Sequence, residues 1–348
     1  MRIGSGWARA GWSLAAAVAA LGVLTEAAAA QDRPVTLRFS HFTPPMHPLH
    51  TAGLEPWAES ISEASEGTIT VQIFPAQQLG RLPDHYDMAR DGIADFALVN
   101  AGVQPGRFPI IATGEQPFQV ANARGGSVAL DAWYRAYAEA EMGDVKFCLA
   151  HHHPPGTIHS KTPVRVPADL AGQRVRPANA TMAALVSAIG AQNVQVPAPE
   201  SREALERGVA DAITFPWDSI LTFNMADVVS YHLDMSIYAT TFVWVMNRAS
   251  YDRLSEAQRA VIDDHCSNDW VARVIEGWNV AEEESRAAIS AMEGRTVITP
   301  TEEEVALWRE AASALEERWA EGVRAAGEDP EAVRAALLAE LEARDSAY

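Results

Sequence analysis

The chain has 348 residues, of which 48% are hydrophobic and 21% are charged, and its formal net charge is −19. This composition is typical of a globular protein long enough to build two domains with separate cores. A body this acidic repels phosphate backbones, which argues against nucleic-acid binding. Any anionic ligand must therefore rely on local cations.

The first thirty residues have the pattern of a secretory signal. Two arginines give a weakly basic start, residues 10–24 are apolar and alanine-rich, and Ala28–Ala30 precede Gln31. This pattern predicts cleavage after Ala30, and the loss of two arginines and one glutamate brings the charge to −20. A membrane anchor is the alternative, but the apolar run is short for a span of about 20 residues.

The mature chain begins with a βαβαβ pattern. Residues 35–41 alternate apolar and polar side chains as a half-buried strand does, and apolar positions recur at helical spacing over residues 50–66. Further strands are predicted at 69–74 and 96–99, with a short helix at 82–90 between them. Such units build a sheet whose ligands bind at the carboxyl ends of parallel strands.

His41 and Phe42 stand at the carboxyl end of the first predicted strand. We therefore expect both at the ligand crevice. The alternative for His41 is a core histidine that is hydrogen-bonded to the backbone.

Three adjacent histidines follow the next predicted elements, a helix at 123–142 and a strand at 145–150. On an extended chain neighbours face opposite sides, so only His151 and His153 could share an ion. No second ligand pair at metal-site spacing accompanies them, and we predict no metal site.

The segment from Val164 to Ser219 repeats the βαβαβ pattern, with strands at 173–177, 194–197 and 211–215 and helices at 182–189 and 201–208. Arg176 lies at the exit of the first of these strands, and Phe215 and Trp217 at the exit of the third. All three should face one crevice, where a guanidinium can pair bidentately with a carboxylate beside two apolar rings. The alternatives are a surface ion pair for Arg176 and core packing for Trp217.

The remainder of the chain is mostly helical. A strand is predicted at 241–246, and helical periodicity then runs over roughly forty positions from Leu254, either as one long helix or as two with a cap at 267–269. Thr301 and Glu304 form a capping box for a helix to 325, and a charged helix is expected at 330–343.

The two cysteines are Cys148, in an apolar run, and Cys266, in a helical stretch. Secretion would expose them to an oxidising compartment. The sequence leaves a disulfide and two buried free thiols both open.

Short motifs recur through nearly the whole mature chain. In order they are V-x-I-F-P-A-x-Q-L-G (71–80), D-G-x-x-D-F (91–96), K-x-P-V (161–164), D-L-x-G-x-x-x-R (169–176), A-x-G-A (188–191), V-x-x-P (194–197), L-x-x-G-x-A-D-x-x-x-x-P (205–216) and M-N-x-x-x-Y-x-x-L-S (246–255). Each motif alone is weakly specific, but their shared order resembles the solute-binding subunit of tripartite ATP-independent periplasmic (TRAP) transporters, DctP type.

The resemblance implies an α/β fold with two lobes, each a βαβ-type sheet flanked by helices, and a long helix that spans both lobes from near Asn268. After a signal peptide at 1–30, lobe I would comprise 31–153 plus about 242–280, and lobe II would comprise 154–241 plus about 281–348. Such lobes close over a ligand by a hinge motion.

The resemblance also implies site residues. In that family the arginine matching Arg176 holds the carboxylate of an organic acid, and the position of Asn100 commonly reaches the ligand; its alternative is a turn former beside Gly102. His159, just past the expected hinge, and Asp218 are further candidates. Their alternatives are a solvated loop histidine and a helix cap.

The chain departs from the family at two positions. Where relatives often carry a second arginine close to position 156 and an asparagine before the proline matching Pro216, this sequence has Gly156 and Phe215. These departures leave one carboxylate anchor in a more apolar pocket. We therefore expect a monocarboxylic acid with a hydrophobic or aromatic body.

The expected function is capture of an organic acid in the periplasm and delivery to the small and large TRAP membrane subunits by a monomeric protein without a cofactor. One alternative is the binding protein of another transporter or of a sensor. The other is a periplasmic enzyme, for which the sequence offers no nucleophile elbow, phosphate-binding glycine loop or completed metal set.

Overall fold

Two mixed β-sheets organise residues 32–348, the part of the chain that the computed structural model describes; the predicted signal peptide lies outside the described residues. The strands are β1 (Val35–Ser40), β2 (Ile69–Phe74), β3 (Phe96–Asn100), β4 (Val145–His152), β5 (Thr157–Ser160), β6 (Arg174–Arg176), β7 (Gln192–Asn193), β8 (Ala212–Phe215), β9 (Tyr231–Leu233), β10 (Thr241–Asn247) and β11 (Thr296–Ile298). The helices are α1 (Glu55–Ala64), α2 (His85–Arg90), α3 (Ala123–Tyr134), α4 (Ala138–Glu141), α5 (Ala180–Ala188), α6 (Ser201–Glu206), α7 (Trp217–Thr222), α8 (Arg248–Asp252), α9 (Glu256–His265), α10 (Asn268–Ala291), α11 (Glu302–Ser313), α12 (Glu316–Ala325) and α13 (Pro330–Glu342).

The first sheet has the strand order β2-β1-β3-β10-β4. The strands β2, β1 and β3 are parallel, as the βαβαβ pattern predicts, whereas β10 runs antiparallel to β3 and β4. Its core is aromatic: the ring of Phe39 lies 5.8 Å from that of Trp57 and 5.1 Å from that of Trp244. This sheet and the helices that cover it are called lobe I.

The second sheet has the order β11-β9-β5-β8-β6-β7 and, with its helices, is called lobe II. The strands β8, β6 and β7 are parallel, and β5 is antiparallel to both β8 and β9. The chain crosses from lobe I to lobe II between β4 and β5, and it returns between β9 and β10. The predicted two-lobe α/β fold is therefore confirmed.

The helix α10 packs against both lobes. It contacts α3 and the helical turns at Leu49–Leu54 in lobe I, and α7 in lobe II. The helical periodicity from Leu254 resolves into two helices, α9 and α10, with Ser267 at the N-cap of the second. The internal break predicted at 267–269 is confirmed.

Several predicted boundaries are wrong. The strand expected at 194–197 is replaced by β7, because Val196 turns its carbonyl to the guanidinium of Arg176 instead of pairing further and Pro197 follows it. The helices expected at 123–142 and 301–325 each divide in two, into α3 and α4 and into α11 and α12.

The C-terminal helix α13 lies beside lobe I, although the sequence grouped residues 281–348 with lobe II. It packs against α3, and the indole Nε1 of Trp133 donates a hydrogen bond of 3.2 Å to the carbonyl of Val333. Leu337 and Leu341 are fully buried at this contact.

A disulfide joins Cys148 in β4 to Cys266 at the end of α9, which resolves the question that the sequence left open. Arg135 donates hydrogen bonds to the carbonyl oxygens of both cysteines, at 3.0 and 2.8 Å, and pairs with the carboxylate of Asp131 at 2.7 Å. The start of α10 is thereby tied to lobe I.

Among the helices within residues 32–348, none combines the length and the apolar character needed to cross a membrane.

Candidate ligand-binding site

A cavity lies between the lobes, where the carboxyl ends of β1, β3, β6 and β8 meet. It is lined by Phe42, Thr43, His47, Asn100, His153, Arg176, Ala178, Ala198, Phe215, Pro216, Ser219, Phe223, Thr240, Phe242 and Trp278. Of the predicted site residues, Phe42, Asn100, Arg176 and Phe215 reach this cavity, whereas His41, His159, Trp217 and Asp218 do not.

Arg176 is the cation of the cavity. It is only 3% exposed, its Nε donates to the carbonyl of Val196 at 3.0 Å, and its Nη1 has no hydrogen-bond partner within residues 32–348. Burial lowers the pKa of the guanidinium to about 10, so it stays charged at neutral pH. A buried charge with an unused donor is strongly favourable to a carboxylate placed beside it.

Arg174, two residues earlier on β6, contrasts with Arg176. Its guanidinium pairs with the carboxylate of Asp211 at 2.7 Å and its side chain is 44% exposed. A surface ion pair was the alternative interpretation for Arg176; it is Arg174 that forms such a pair.

Aromatic rings form most of the cavity wall. The guanidinium carbon of Arg176 lies 4.7 Å from the centre of the Phe215 ring, which stacks on Phe223 at 5.6 Å. On the facing side, Phe42 stacks on Phe242 at 5.9 Å, and Phe242 lies 6.1 Å from Trp278. These walls favour a flat apolar ligand body next to the cation.

His47 adds a neutral ring to the wall. Its Nδ1 accepts the backbone N–H of Leu49 at 3.1 Å, so in the neutral ring the proton is on Nε2. Burial lowers the pKa of His47 to about 3, which keeps the ring neutral. Its Nε2 lies 3.7 Å from Oδ2 of Asp218, an acceptor without a hydrogen-bond partner in the described part of the chain.

Asn100 presents a second donor. It ends β3, and its Oδ1 accepts the backbone N–H of Gly102 at 3.0 Å. The sequence left a turn former and a cavity residue as alternatives for Asn100. Both apply, because the side-chain oxygen forms the turn and the amide nitrogen remains available to the cavity.

Asp218 lies behind the wall and not on it. Its Oδ1 accepts the hydroxyl of Thr222 at 3.0 Å, and burial raises the pKa of the carboxyl to about 6. The backbone N–H groups of Trp217 and Asp218 both donate to the carboxylate of Glu282 on α10, at 2.7 Å each. The long helix thus fixes the start of α7.

His159 and Trp217 support the wall from behind. The Nε2 of His159 lies 3.1 Å from the carbonyl of Phe215, which only accepts, so Nε2 carries the proton and Nδ1 accepts from Nδ1 of His232 at 2.7 Å. Trp217 packs edge-on against His159 at 5.2 Å. The two side chains hold the carbonyl and backbone of Phe215 in place.

The three adjacent histidines are buried and neutral. His152 reaches the carbonyls of Gly126 and Gly114, and His153 accepts the N–H of Thr240 through Nε2 at 3.1 Å. His151 accepts the indole N–H of Trp244 at 3.1 Å. No group of three or more metal-ligating side chains stands together anywhere from residue 32 to residue 348.

Among the cavity residues that were not predicted from the sequence are His47, Phe223, Phe242 and Trp278. His47 follows β1 in a loop with three prolines, and its position after a strand's carboxyl end was the signal that could have found it. Trp278 recurs with the apolar face of α10 and so resembles an ordinary core residue.

The lobes touch around the cavity. Asn179 of lobe II donates to the hydroxyl of Thr240 at 3.1 Å, and a β-carbon built on Gly102 of lobe I would lie 2.6 Å from the β-carbon of Asn179. At the mouth, Arg81 of lobe I lies 3.3 Å from the carboxylate of Glu200 of lobe II. The structure is therefore a closed form.

A family model for bacterial extracellular solute-binding proteins, family 7 (DctP), matches residues 39–322. Among curated proteins, the chain is 27% identical over 242 residues to the outer membrane transporter protein TsaT of Comamonas testosteroni, covering 68% of this chain and 71% of that one.

Two solved structures share the whole architecture. A TRAP solute-binding protein specific for aromatic acid ligands, from a marine metagenome and bound to metahydroxyphenylacetate, is 30% identical, with a TM-score of 0.84 over 89% of this chain and 99% of the other. A TRAP solute-binding protein from Rhodoferax ferrireducens, in complex with benzoate, is 27% identical, with a TM-score of 0.85 over 89% of this chain and 98% of the other.

Proposed function

The chain belongs to the bacterial extracellular solute-binding proteins of family 7, and from that premise we propose that it captures an aromatic monocarboxylic acid in the periplasm and hands it to a TRAP membrane permease. Arg176 binds the carboxylate, and the rings of Phe215, Phe223 and Phe242 enclose the body of the acid. The closed arrangement of the two lobes is the form that carries the ligand.

The observation that carries this proposal is the unpaired guanidinium of Arg176 inside an aromatic cavity. A second cation would be needed to neutralise a dicarboxylate, and no other arginine or lysine lines the cavity among the described residues. At the position where relatives often carry another arginine, Gly156 packs against the ring of Tyr238, since a β-carbon there would lie 2.6 Å from that ring. One carboxylate with an apolar remainder fits these groups best.

The comparisons support the same ligand class. Two proteins of the same architecture bind metahydroxyphenylacetate and benzoate, and both acids combine one carboxylate with one ring. These relatives are binding proteins and not enzymes. Export by the predicted signal at residues 1–30 and docking to the membrane subunits complete the proposed role.

The test is binding of benzoate, measured by isothermal titration calorimetry and by the shift in melting temperature. Micromolar affinity corresponds to about −8 kcal/mol. Arg176→Lys should weaken binding at least about 100-fold, because an ammonium lacks the planar fork that matches a carboxylate. Arg174→Lys is the matched control: it makes the same change two residues away and should leave the affinity unchanged.

Equal losses of benzoate affinity in the two variants would show that the substitution perturbs strand β6 and not a direct contact with the carboxylate. Full retention of affinity in Arg176→Lys would mean that another donor binds the carboxylate, and it would overturn the proposed site.

A further inference from the structure

A relay of polar contacts connects the cavity to the protein surface: hydrogen bonds join Thr43, His41 and His50, and His50 contacts Glu55. Thr43 lines the cavity, and its hydroxyl oxygen lies 2.9 Å from Nδ1 of His41. The Nε2 of His41 lies 2.8 Å from Nδ1 of His50, and the Nε2 of His50 lies 3.3 Å from the carboxylate of Glu55. The relay begins in a fully buried hydroxyl and ends in a carboxylate whose side chain is 54% exposed.

The carboxylate gives this relay a direction. The carboxylate of Glu55 beside Nε2 favours the neutral form of His50 that carries its proton on Nε2 and offers Nδ1 as an acceptor. His41 must then donate from Nε2 and accept at Nδ1, and burial, which lowers the pKa of His41 to about 3, keeps that ring neutral. The hydroxyl proton of Thr43 is therefore directed at His41, away from the cavity.

The orientation of Thr43 matters because other polar groups of the cavity are donors. Arg176 and the amide nitrogen of Asn100 present N–H groups. The hydroxyl of Thr240 accepts from Asn179 and so keeps its own proton to donate. Donors suit a carboxylate, whereas the oxygen of Thr43, with its proton engaged by His41, suits a ligand group that donates.

We propose that the ligand is a hydroxylated aromatic acid whose hydroxyl donates a hydrogen bond to Thr43, and that His41, His50 and Glu55 are positioning residues that hold Thr43 as an acceptor. This inference rests on the proposed function and narrows its substrate class. A site built to receive a hydroxyl rejects an analogue that lacks it, because the buried acceptor is then left unpaired.

The first experiment compares matched acids by calorimetry at about pH 8, above the ordinary titration range of histidine. The wild type should bind 3-hydroxybenzoate and 3-aminobenzoate about 10- to 100-fold more tightly than benzoate or 3-fluorobenzoate, because only the first two can donate. Mandelate against phenylacetate makes the same comparison for a hydroxyl outside the ring. A preference in either pair supports the proposal and assigns the position of the hydroxyl; the absence of a preference in both overturns it.

The second experiment removes the acceptor. Thr43→Val should abolish the preference by weakening the donor-bearing acids more than benzoate, and Thr43→Ser should keep the preference. Thr43→Val also leaves Nδ1 of His41 without its partner, so melting temperatures of both variants establish that they are folded. A preference that survives in folded Thr43→Val overturns the proposal.

The third experiment reverses the relay from the surface. In Glu55→Lys an ammonium donates to Nε2 of His50, which moves the protons of both histidines and directs an N–H of His41 at Thr43; Thr43 then has to donate. The advantage of 3-aminobenzoate over benzoate should fall about 10-fold. Glu59→Lys, an exposed position on the same helix and outside the relay, is the matched control and should change nothing.

The outcomes separate the two claims. If the wild type binds none of these acids, the proposed function fails. If it binds benzoate in an Arg176-dependent way, but Glu55→Lys and Glu59→Lys behave alike, the proposed function stands and the role of the relay is refuted.

Discussion

Glu115 is a carboxyl group held at the contact between the lobes. Its Oε1 accepts the N–H and the hydroxyl of Thr241, at 3.2 and 3.1 Å, while Oε2 has no hydrogen-bond partner among the described residues. Burial raises its pKa from 4.5 to about 7. Since the folded protein holds this proton more tightly than the unfolded chain does, its contribution to stability is full below about pH 4.5 and is lost as the pH rises through about 7.

Glu115→Gln should therefore match the wild type in free energy of unfolding at about pH 4 and exceed it at about pH 8, by on the order of 3 kcal/mol. Urea unfolding at the two pH values measures this difference. Gln keeps the oxygen that Thr241 uses, and the amide replaces the oxygen that has no partner. Parallel stability curves for the two proteins would mean that Glu115 stays ionised in the folded state.

Among single residues, the sequence predicted the position of Arg176 at the cavity better than that of its neighbours. Arg176 could be identified because the end of a strand is a defined place and a family motif covers it. His47 could have been found only from its position after the carboxyl end of β1, and Trp278 could not, because it recurs with the apolar face of α10 like an ordinary core residue. His159 was a candidate for the cavity but does not line it, and its contact with the backbone carbonyl of Phe215 depends on strand pairing that no spacing reveals.

The helix α10 acts on the cavity through the start of α7. Glu282→Ala would leave the N–H groups of Trp217 and Asp218 unpaired in a buried place, and we expect a loss of about 1–3 kcal/mol in stability together with weaker benzoate binding. Urea unfolding and calorimetry measure the two effects.

Glu283→Ala provides the comparison for Glu282→Ala. Glu283 is the next residue on α10, and it forms an exposed ion pair with Arg124 at 2.8 Å. Its removal should cost no more than about 1 kcal/mol and leave binding intact. If the two variants lose affinity alike, the contact between α10 and α7 does not shape the cavity.

The disulfide links the edge strand β4 to the end of α9 across 118 residues of sequence. A cross-link over so long a loop restricts the unfolded chain strongly, so replacing Cys148 and Cys266 together by serine should lower the free energy of unfolding by about 2–5 kcal/mol. Urea unfolding of the variant and of the reduced wild type should give the same midpoint. A variant as stable as the oxidised wild type would contradict this account.

Most elements could be predicted from periodicity and capping, including the capping box at Thr301 and the break before Asn268. The errors lie where a tertiary contact overrides the local pattern. Residues 194–197 have the composition of a strand, but the carbonyl of Val196 accepts a hydrogen bond from Arg176 instead of pairing in the sheet. The charged surface of α13 does not indicate which lobe it packs against, and the structure buries its Leu337 and Leu341 against lobe I.

On the scale of the whole molecule, closure depends on the close approach of Gly102 to lobe II. An alanine β-carbon at this position would lie 2.6 Å from the β-carbon of Asn179 and 2.7 Å from both carboxylate oxygens of Glu115. Gly102→Ala should therefore weaken benzoate binding about 10-fold or more and reduce the contraction that small-angle X-ray scattering detects when the acid is added.

Val103→Ala, which removes atoms at the next position, is the control for Gly102→Ala and should close normally. An unchanged contraction in Gly102→Ala would mean that the lobes meet elsewhere. The two-lobe fold itself was predictable, because the βαβαβ pattern occurs twice and the motifs follow a family order. The distance between the lobes could not be predicted, since it depends on contacts between residues far apart in the chain.

The burial of Arg176 also bears on the protein in the absence of any acid. Bringing the lobes together without an anion removes water from the guanidinium, whose hydrogen bond to the carbonyl of Val196 lies within lobe II and is not gained on closure. The closed form is therefore costly until a carboxylate enters. A permease that recognises only the closed form would then rarely bind the ligand-free protein. It would therefore not go through its transport cycle without a substrate.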